Sequence, residues 1–270
     1  MLPVPSPSGS KLTRTLLAPN AGPMTLEGTN SYLIGSGGSY PVVVDPGPSD
    51  ERHLAVLATG AVQLILITHR HPDHTAGAAR LHELTGAPVR AADPAHCHGG
   101  GAVLGAERIQ LAGLTIDVLP TPGHTDDSVS FVLPDDGPTG SVLTGDTILG
   151  RGTTVIAHPD GSVADYLASL DALEAIGPAI VLPAHGPQRG DLVRLCREYR
   201  LHRLQRLEQI SAVLADLGPR PTVDQVVDAV YVGTPPEVRF AAAKSVAAQL
   251  QYLRDDKLGA RSRIGDGERR

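Results

Sequence analysis

Tryptophan is absent from this 270-residue chain, and aromatic side chains make up only 3% of it. No platform for stacking nucleic-acid bases is therefore evident. Cysteine is almost as scarce. Cys97 and Cys196 lie far apart, which excludes a disulfide framework and favours a reducing compartment. No stretch approaches the ~18 consecutive apolar residues of a membrane span. The opening MLPVPSPSGSKLTRTLLAPN lacks the apolar run of a secretory signal, although Lys11 and Arg14 leave an organellar presequence open. A cytoplasmic location is the default expectation. Excess positive charge is missing too: 23 basic against 29 acidic side chains give −6, so a nucleic-acid role would have to rest on a local patch.

What the chain does have is histidine, 11 residues unevenly placed, and short β-branched runs punctuated by glycine and proline. Val42–Val44, Val62–Thr68, Leu114–Leu119, Val129–Leu133, Ser141–Thr144 and Ala179–Leu182 read as strands. The almost wholly apolar VQLILIT run suits a strand buried on both faces. Helical patterns fall at Thr75–Gly86 and from Asp165 to Ile176. Strands in succession with interposed helices predict an α/β layered domain. Near residue 190 the texture changes to long amphipathic helices, expected over 191–217, 223–230 and about 236–253, followed by a glycine-rich, charged tail expected to fray from Gly259. Residues 1–200 carry 12 basic and 20 acidic side chains, net −8, and residues 201–270 carry 11 and 9, net +2. This step places the expected domain boundary at 200/201.

The sharpest signal is Thr68-His69-Arg70-His71-Pro72-Asp73-His74, at the end of the VQLILIT run. Three imidazoles and a carboxylate so close together are too costly to bury unpaired. A divalent cation satisfies them, and imidazole and carboxylate are ligands that zinc, iron and manganese accept. Alternate residues of extended backbone face one side, so His69 and His71 can share an ion, while the turn at Pro72 can aim Asp73 and His74 at a second. Three further apolar runs end in a potential ligand: LTIDVLPTPGHT in His124, SVLTGD in Asp146 and AIVLPAHG in His185. Each of these three is weak alone; four such strand ends in one chain are strong together.

HxHxDH followed by the PGHT histidine, the GD aspartate and the PAHG histidine resembles the metallo-β-lactamase superfamily, over the first 190 residues. The resemblance implies an αβ/βα sandwich with a dinuclear site at one edge. His69, His71 and His124 would hold the first metal, Asp73, His74 and His185 the second, and Asp146 would bridge them. The segments NAGPMTLEGTNSYLI, TPGHTDDS and GDTILGRGTT, with the helical tail, are similar to the β-lactamase-like protein 2 family. That likeness implies a small winged-helix-like domain over 201–270. It also implies one of two activities, a single-strand-specific endoribonuclease or a thioesterase.

Two ions roughly 3.5–4 Å apart hold a hydroxide whose pKa is lowered toward 7, a nucleophile at neutral pH. Asp73 is the candidate to orient it or relay its proton, and Asp146 the bridging carboxylate. Two Zn2+ are the default cofactors, with iron or manganese open. The expected substrate is a single-stranded RNA, met by Arg70, Arg151, Arg239, Lys244 and Arg254, or a small ester or thioester, including the glyoxalase II class. The helical tail is expected to bind RNA, shape the cleft or form a homodimer contact. Asp45 either orients a ligand histidine from behind or caps its turn. Asn30 either faces the site or bonds its own backbone. His53, His82, His158 and His202 are expected at the surface, and His96-Cys97-His98 in a flexible loop.

Overall fold

The computed structural model describes residues 9–218 and 221–267. Ten strands form two five-stranded sheets. The first runs β1 (Thr13–Leu17), β2 (Asn30–Ser36), β3 (Ser39–Val44), β4 (Leu64–Leu66) and β5 (Val89–Arg90), paired in that order. The second runs β6 (Glu107–Leu111), β7 (Leu114–Pro120), β8 (Val129–Leu133), β9 (Ser141–Gly145) and β10 (Ile180–Pro183). Parallel pairs β3–β4 and β4–β5 in the first sheet, and β9–β10 in the second, require crossovers. Helices supply them: α1 (Glu51–Leu57), α2 (Pro72–Thr75), α3 (Ala78–Thr85) and α4 (Val163–Glu174).

The two-residue period of the strands explains the layering. Tyr32, Ile34, Val42, Val44, Leu64 and Leu66 point between the sheets, where they meet Ile116, Val118, Phe131 and Leu143 of the second sheet. Their neighbours Leu33, Val43 and Ile65 point outward onto α1 and α3, against Leu54, Leu57 and Leu81. On the far side Val142 and Val181 face α4 and α5 (Leu192–Leu217), against Leu170, Leu173 and Leu195. Both faces of β4 are thus buried, as the VQLILIT run predicts. The arrangement is an αβ/βα sandwich.

Three local differences from the sequence reading have simple causes. Helix α4 starts at Val163 rather than Asp165, because the Ser162 hydroxyl accepts the Asp165 N–H and caps the first turn. His53 is buried, its Nε2 2.9 Å from Ser31 Oγ, because this third residue of α1, whose N–H bonds the Asp50 cap, lies on the face turned to the sheet. The tail expected to fray at Gly259 continues as α7 (Arg239–Gly267). Gly259 by itself costs about 1 kcal/mol in a helix, too little to end α7 at that point.

Among the described residues, the elements after β10 are all helical: α5, α6 (Val223–Val230), a short 3-10 turn at Pro236–Val238, and α7. Ile210, Val226, Val227, Ala242 and Val246 form their shared core. Among the described residues this region has no strand pair of the kind that makes a wing. Helix α5 runs unbroken through residue 200, so the charge step falls within a helix. Tyr199 and Arg203 of α5 reach back into the sandwich. Tyr199 Oη accepts the Leu149 N–H at 3.0 Å, and Arg203 Nη2 donates to Thr154 O at 3.0 Å. No described helix is long and apolar enough to cross a membrane.

Candidate metal centre

The cluster is assembled where strands of both sheets end at one edge. The loop after β4 delivers His69 and His71, and α2, opened by Pro72 at its first position, turns Asp73 and His74 toward the same point. His124 follows β7, Asp146 follows β9 and His185 follows β10. The first sheet is stitched to the second here. Asn30 N donates to Ala184 O at 2.7 Å, Asn30 Nδ2 to Pro183 O and Gly186 O at 2.9 Å, and Tyr32 Oη to Pro183 O at 2.8 Å. Asn30 thus does not bond its own backbone; it bonds the carbonyls on either side of His185 and ties the start of β2 to the loop after β10.

Gly123 allows His124 its position. Its φ is +135°, and a Cβ there would overlap the backbone N and Cα of Tyr166 at the start of α4. Only glycine permits that approach.

All seven residues singled out by sequence converge. His69, His71 and His124 form one group, Asp73, His74 and His185 another, and His69, His74 and Asp146 a third between them; within each group the ligand atoms lie within 4.8 Å of one another. His71 Nδ1 is 3.0 Å from both His69 Nε2 and His124 Nε2. Asp146 straddles the groups: Oδ2 is 3.6 Å from His124 Nε2, and Oδ1 is 3.4 Å from His185 Nε2 and 3.8 Å from His74 Nε2. Asp73 Oδ2 lies 3.1 Å from His185 Nε2 and 3.3 Å from His74 Nε2.

The outward nitrogens settle the tautomers. Val155 O, 2.7 Å from His124 Nδ1, and Gly28 O, 3.1 Å from His185 Nδ1, can only accept, so both Nδ1 atoms carry the proton. Asp45 Oδ2 does the same for His74 Nδ1 at 2.9 Å. Thr68 Oγ1 spends its own proton on Asp45 Oδ2 at 2.7 Å and therefore accepts from His69 Nδ1 at 3.1 Å. In the neutral form of these four rings, the state in which imidazole binds a metal, the Nε2 lone pairs are thereby turned inward. This is the outer hydrogen bonding that orients metal-bound imidazoles.

Inside, His74 Nε2, His185 Nε2 and Asp146 Oδ1 are buried without a hydrogen-bond partner. Buried polar groups left in that state are costly, and a cation among them removes the cost. The electrostatics agree. Burial drives His69 well below the usual imidazole range, and drives His71, against the neighbouring His124, to about 4. Burial also opposes charge on His74 and His185, but Asp45 and Asp73 at the first, and Asp146 and Asp73 at the second, outweigh it and raise both. Burial likewise opposes ionisation of Asp73, yet the His185 and His74 rings hold its carboxyl below the usual range. The centre favours positive charge in its carboxylate half and lone pairs in its imidazole half.

A cleft of about 310 Å³ opens from His124 and Asp146. Leu26, Leu149 and Val155 of the sandwich form one wall, and Tyr231, Val238 and Ala242 of the helical region form the other. The cations expected to meet an RNA strand are largely spoken for. Arg70 pairs with Asp126 and Asp127, Arg151 with Glu27, and Arg239 with Asp224 and Asp228. His96 sits in a 3-10 turn, His98 N–H bonds to Val89 O, and the Cys97 thiol lies 3.6 Å from Ala91 O. Among the described residues, all groups of three or more potential metal ligands lie in the one cluster. What sequence missed is the outer frame: Thr68, the Val155 and Gly28 carbonyls, and Arg203 beside the cleft. Backbone acceptors leave no signal in sequence.

The Metallo-beta-lactamase superfamily model matches residues 24–185, which contain the entire cluster. The chain is 31% identical over 258 residues to the beta-lactamase-like protein 2 homolog of Caenorhabditis elegans, covering 89% of this chain and 83% of that protein. It is 28% identical over 275 residues to the atrochrysone carboxyl ACP thioesterase of Aspergillus fumigatus, covering 93% and 84%. A metallo-beta-lactamase family protein from Thermus thermophilus has the same fold, with a TM-score of 0.74 at 23% identity over 91% of this chain and 94% of that one. TTHA1623, solved in a di-iron-bound form, matches with a TM-score of 0.53 at 28% identity over 68% and 98%. The chain belongs to the metallo-β-lactamase superfamily of metal-dependent hydrolases.

Proposed function

We propose that this hydrolase cleaves acyl thioesters or closely related esters at a two-metal centre. His69, His71 and His124 would hold one ion, Asp73, His74 and His185 the other, with Asp146 shared. The single observation that carries the reading is the placement of the inward-turned imidazole lone pairs beside a half-enclosed, mostly apolar cleft. A cleft of this shape accepts an acyl chain more readily than a polyanionic strand. The thioesterase among the relatives supports the same substrate class.

Bound divalent ions supply Lewis acidity and a water acidified toward neutral pH. Zinc suits the nitrogen-rich donor set, and the di-iron relative keeps iron in view. The chain's own part is positional. Asp45, Thr68, Val155 O and Gly28 O hold the imidazoles, and Leu26, Leu149 and Val155 keep the acyl chain out of water. Asp73, kept ionised and about one-quarter exposed, takes the proton of the attacking water at Oδ1, the oxygen not turned to His74 and His185, and returns it to the departing thiolate. The water oxygen joins the acyl carbon, the carbon–sulfur bond breaks, and the products are one carboxylic acid and one thiol.

The test is thiol release from a short acyl thioester by zinc-loaded protein, with labelled single-stranded RNA and the His69→Ala variant run in parallel. Release that disappears in the variant supports the reading. RNA cleavage that disappears in the variant, without thiol release, replaces it with the endoribonuclease reading.

A further inference from the structure

The cleft is lined by groups of opposite charge. Asp146 stands in the cluster beside His124, and α5 contributes His202, Arg203 and Arg206, with Arg203 bonded to Thr154, whose hydroxyl lies 3.1 Å from His124 Nδ1. Arg203 is only 4% exposed. Its Nη2 bonds to a backbone carbonyl, its guanidinium lies 5.4 Å from the Tyr166 ring centroid, and its Nε is buried with no partner. Arg206 is similarly held by neutral groups, with Nη1 3.3 Å from Val230 O and its guanidinium 4.5 Å over the Tyr231 ring. Among the described residues, no carboxylate lies within 4.0 Å of either guanidinium. His202 adds a second buried nitrogen without a partner, Nδ1.

A dehydrated guanidinium without a counter-ion is expensive to keep. Elsewhere among the described residues arginines do face carboxylates, in exposed pairs such as Arg80–Glu51, where pairing is worth little, and in half-buried ones such as Arg90–Glu107. Here, where it would be worth most, none is supplied. A group of opposite charge entering the cleft would satisfy both the charge and the orphaned Nε–H, and an arginine fork matches a carboxylate in geometry as well as sign.

We propose that the α5 side of the cleft, at Arg203 and Arg206, is a subsite for a carboxylate carried on the acyl portion of the substrate. The enzyme would therefore act on thioesters of dicarboxylic acids, with the acyl chain lying between Leu149 and Ala242. The carboxylate of Asp146 repels the anionic end, and Arg203 attracts it, so the reacting carbonyl is left facing the cluster. Arg206 and His202 add a second cation and a neutral hydrogen-bonding group. At about 30 Å³ per water-sized group, 310 Å³ holds on the order of ten such groups, enough for a short dicarboxylic acyl chain. This assignment rests on the acyl-hydrolase reading for its substrate class but not for its anion site.

The experiment therefore has two arms, both on the metal-loaded full chain. Calorimetric titration with glutarate, glutaramide and inorganic phosphate is carried out on wild type, Arg203→Met and Arg206→Gln. Glutarate is expected to bind at least tenfold tighter than glutaramide, and this difference is expected to fall at least tenfold in Arg203→Met. If Arg203→Met does not fold, as judged by circular dichroism, Arg206→Gln carries the test, with a loss of several-fold expected. Glutarate binding unchanged in the folded variants places the anion on the metals and overturns the subsite, as does phosphate binding tighter than glutarate.

In the second arm, kcat/KM is compared for a glutaryl and a butyryl thioester of the same thiol. A preference of tenfold or more for the glutaryl ester, collapsing toward parity in the variants, is expected. Hydrolysis without preference rejects the subsite and leaves the hydrolase reading. Arginine-dependent glutarate binding without hydrolysis of either ester does the opposite.

Discussion

Asp45 lies directly behind His74: its Oδ2 accepts from His74 Nδ1 at 2.9 Å, in a setting where both side chains are at most 2% exposed. The same carboxylate accepts the Thr68 N–H at 2.8 Å and the Thr68 hydroxyl at 2.7 Å, and through Thr68 it orients His69. One buried carboxylate thus fixes an imidazole in each proposed metal site. Replacing it with asparagine preserves shape, and asparagine tolerates the left-handed φ of 50° found there. The lost charge and altered donor pattern should lower metal affinity about 10–100-fold. Competition for zinc with a coloured chelator measures this, and unchanged affinity in a folded Asp45→Asn would remove Asp45 from the metal's support.

Asp73→Asn separates holding metal from moving protons. Asparagine keeps an oxygen donor but cannot accept the proton. A fall in kcat of about 10²-fold or more is expected, the usual scale for a lost general base. Metal content by atomic absorption should stay near that of the wild type. Full turnover with both ions present would refute the proton-relay role. Asp146→Ala should lose at least one ion.

Gly123→Ala tests the close approach before His124. The new methyl group would meet Tyr166 backbone rather than a side chain that could swing away. Strain of this kind, added to the φ of +135°, should cost several kcal/mol and displace His124. Thermal unfolding and zinc content should fall together; a normal melting temperature would show that the loop yields more easily than the geometry implies.

After chelation, stability should depend on pH in a direction set by the buried imidazoles. His69 and His71 have folded-state pKa values below the unfolded value near 6.5, about 4 for His71. Between pH 6.5 and about 4 the unfolded chain therefore binds protons that the native chain refuses, and stability falls as the solution is acidified. His74 and His185 are shifted upward, so their contribution is complete below pH 6.5 and is lost as pH rises through their folded values. Urea midpoints of the chelated protein across pH 4–8 should show both limbs. His71→Gln should flatten the acidic one.

The convergence of the candidate ligands was legible because its chemistry is carried by side chains that recur at strand ends. Four residues of HxHxDH lie within one loop and turn, and the apolar runs before His124, Asp146 and His185 announce where each candidate ligand emerges. Strand alternation was equally readable, since Leu64 and Leu66 face one way and Ile65 the other. The supports were not. Val155 O and Gly28 O act through backbone, which every residue possesses, and His53 looks in sequence like any histidine on a short helix. Arg203 escaped notice for a different reason: on an amphipathic helix an arginine reads as solvated, and only the packing of α5 against the 149–155 loop shows it buried.

Under the proposed assignment, the ligands divide unequally between the sheets. His69, His71, Asp73 and His74 follow a strand of the first, whereas His124, Asp146 and His185 follow strands of the second. Each proposed ion would therefore be a cross-link between two halves of the chain that are otherwise joined by packing, by hydrogen bonds such as those of Asn30, Tyr32 and Val129, and by ion pairs such as Arg70–Asp127 and Arg90–Glu107. Such a clasp makes assembly itself sensitive to metal supply. If the chain were severed between β5 and β6, zinc would be expected to govern whether the fragments remain together.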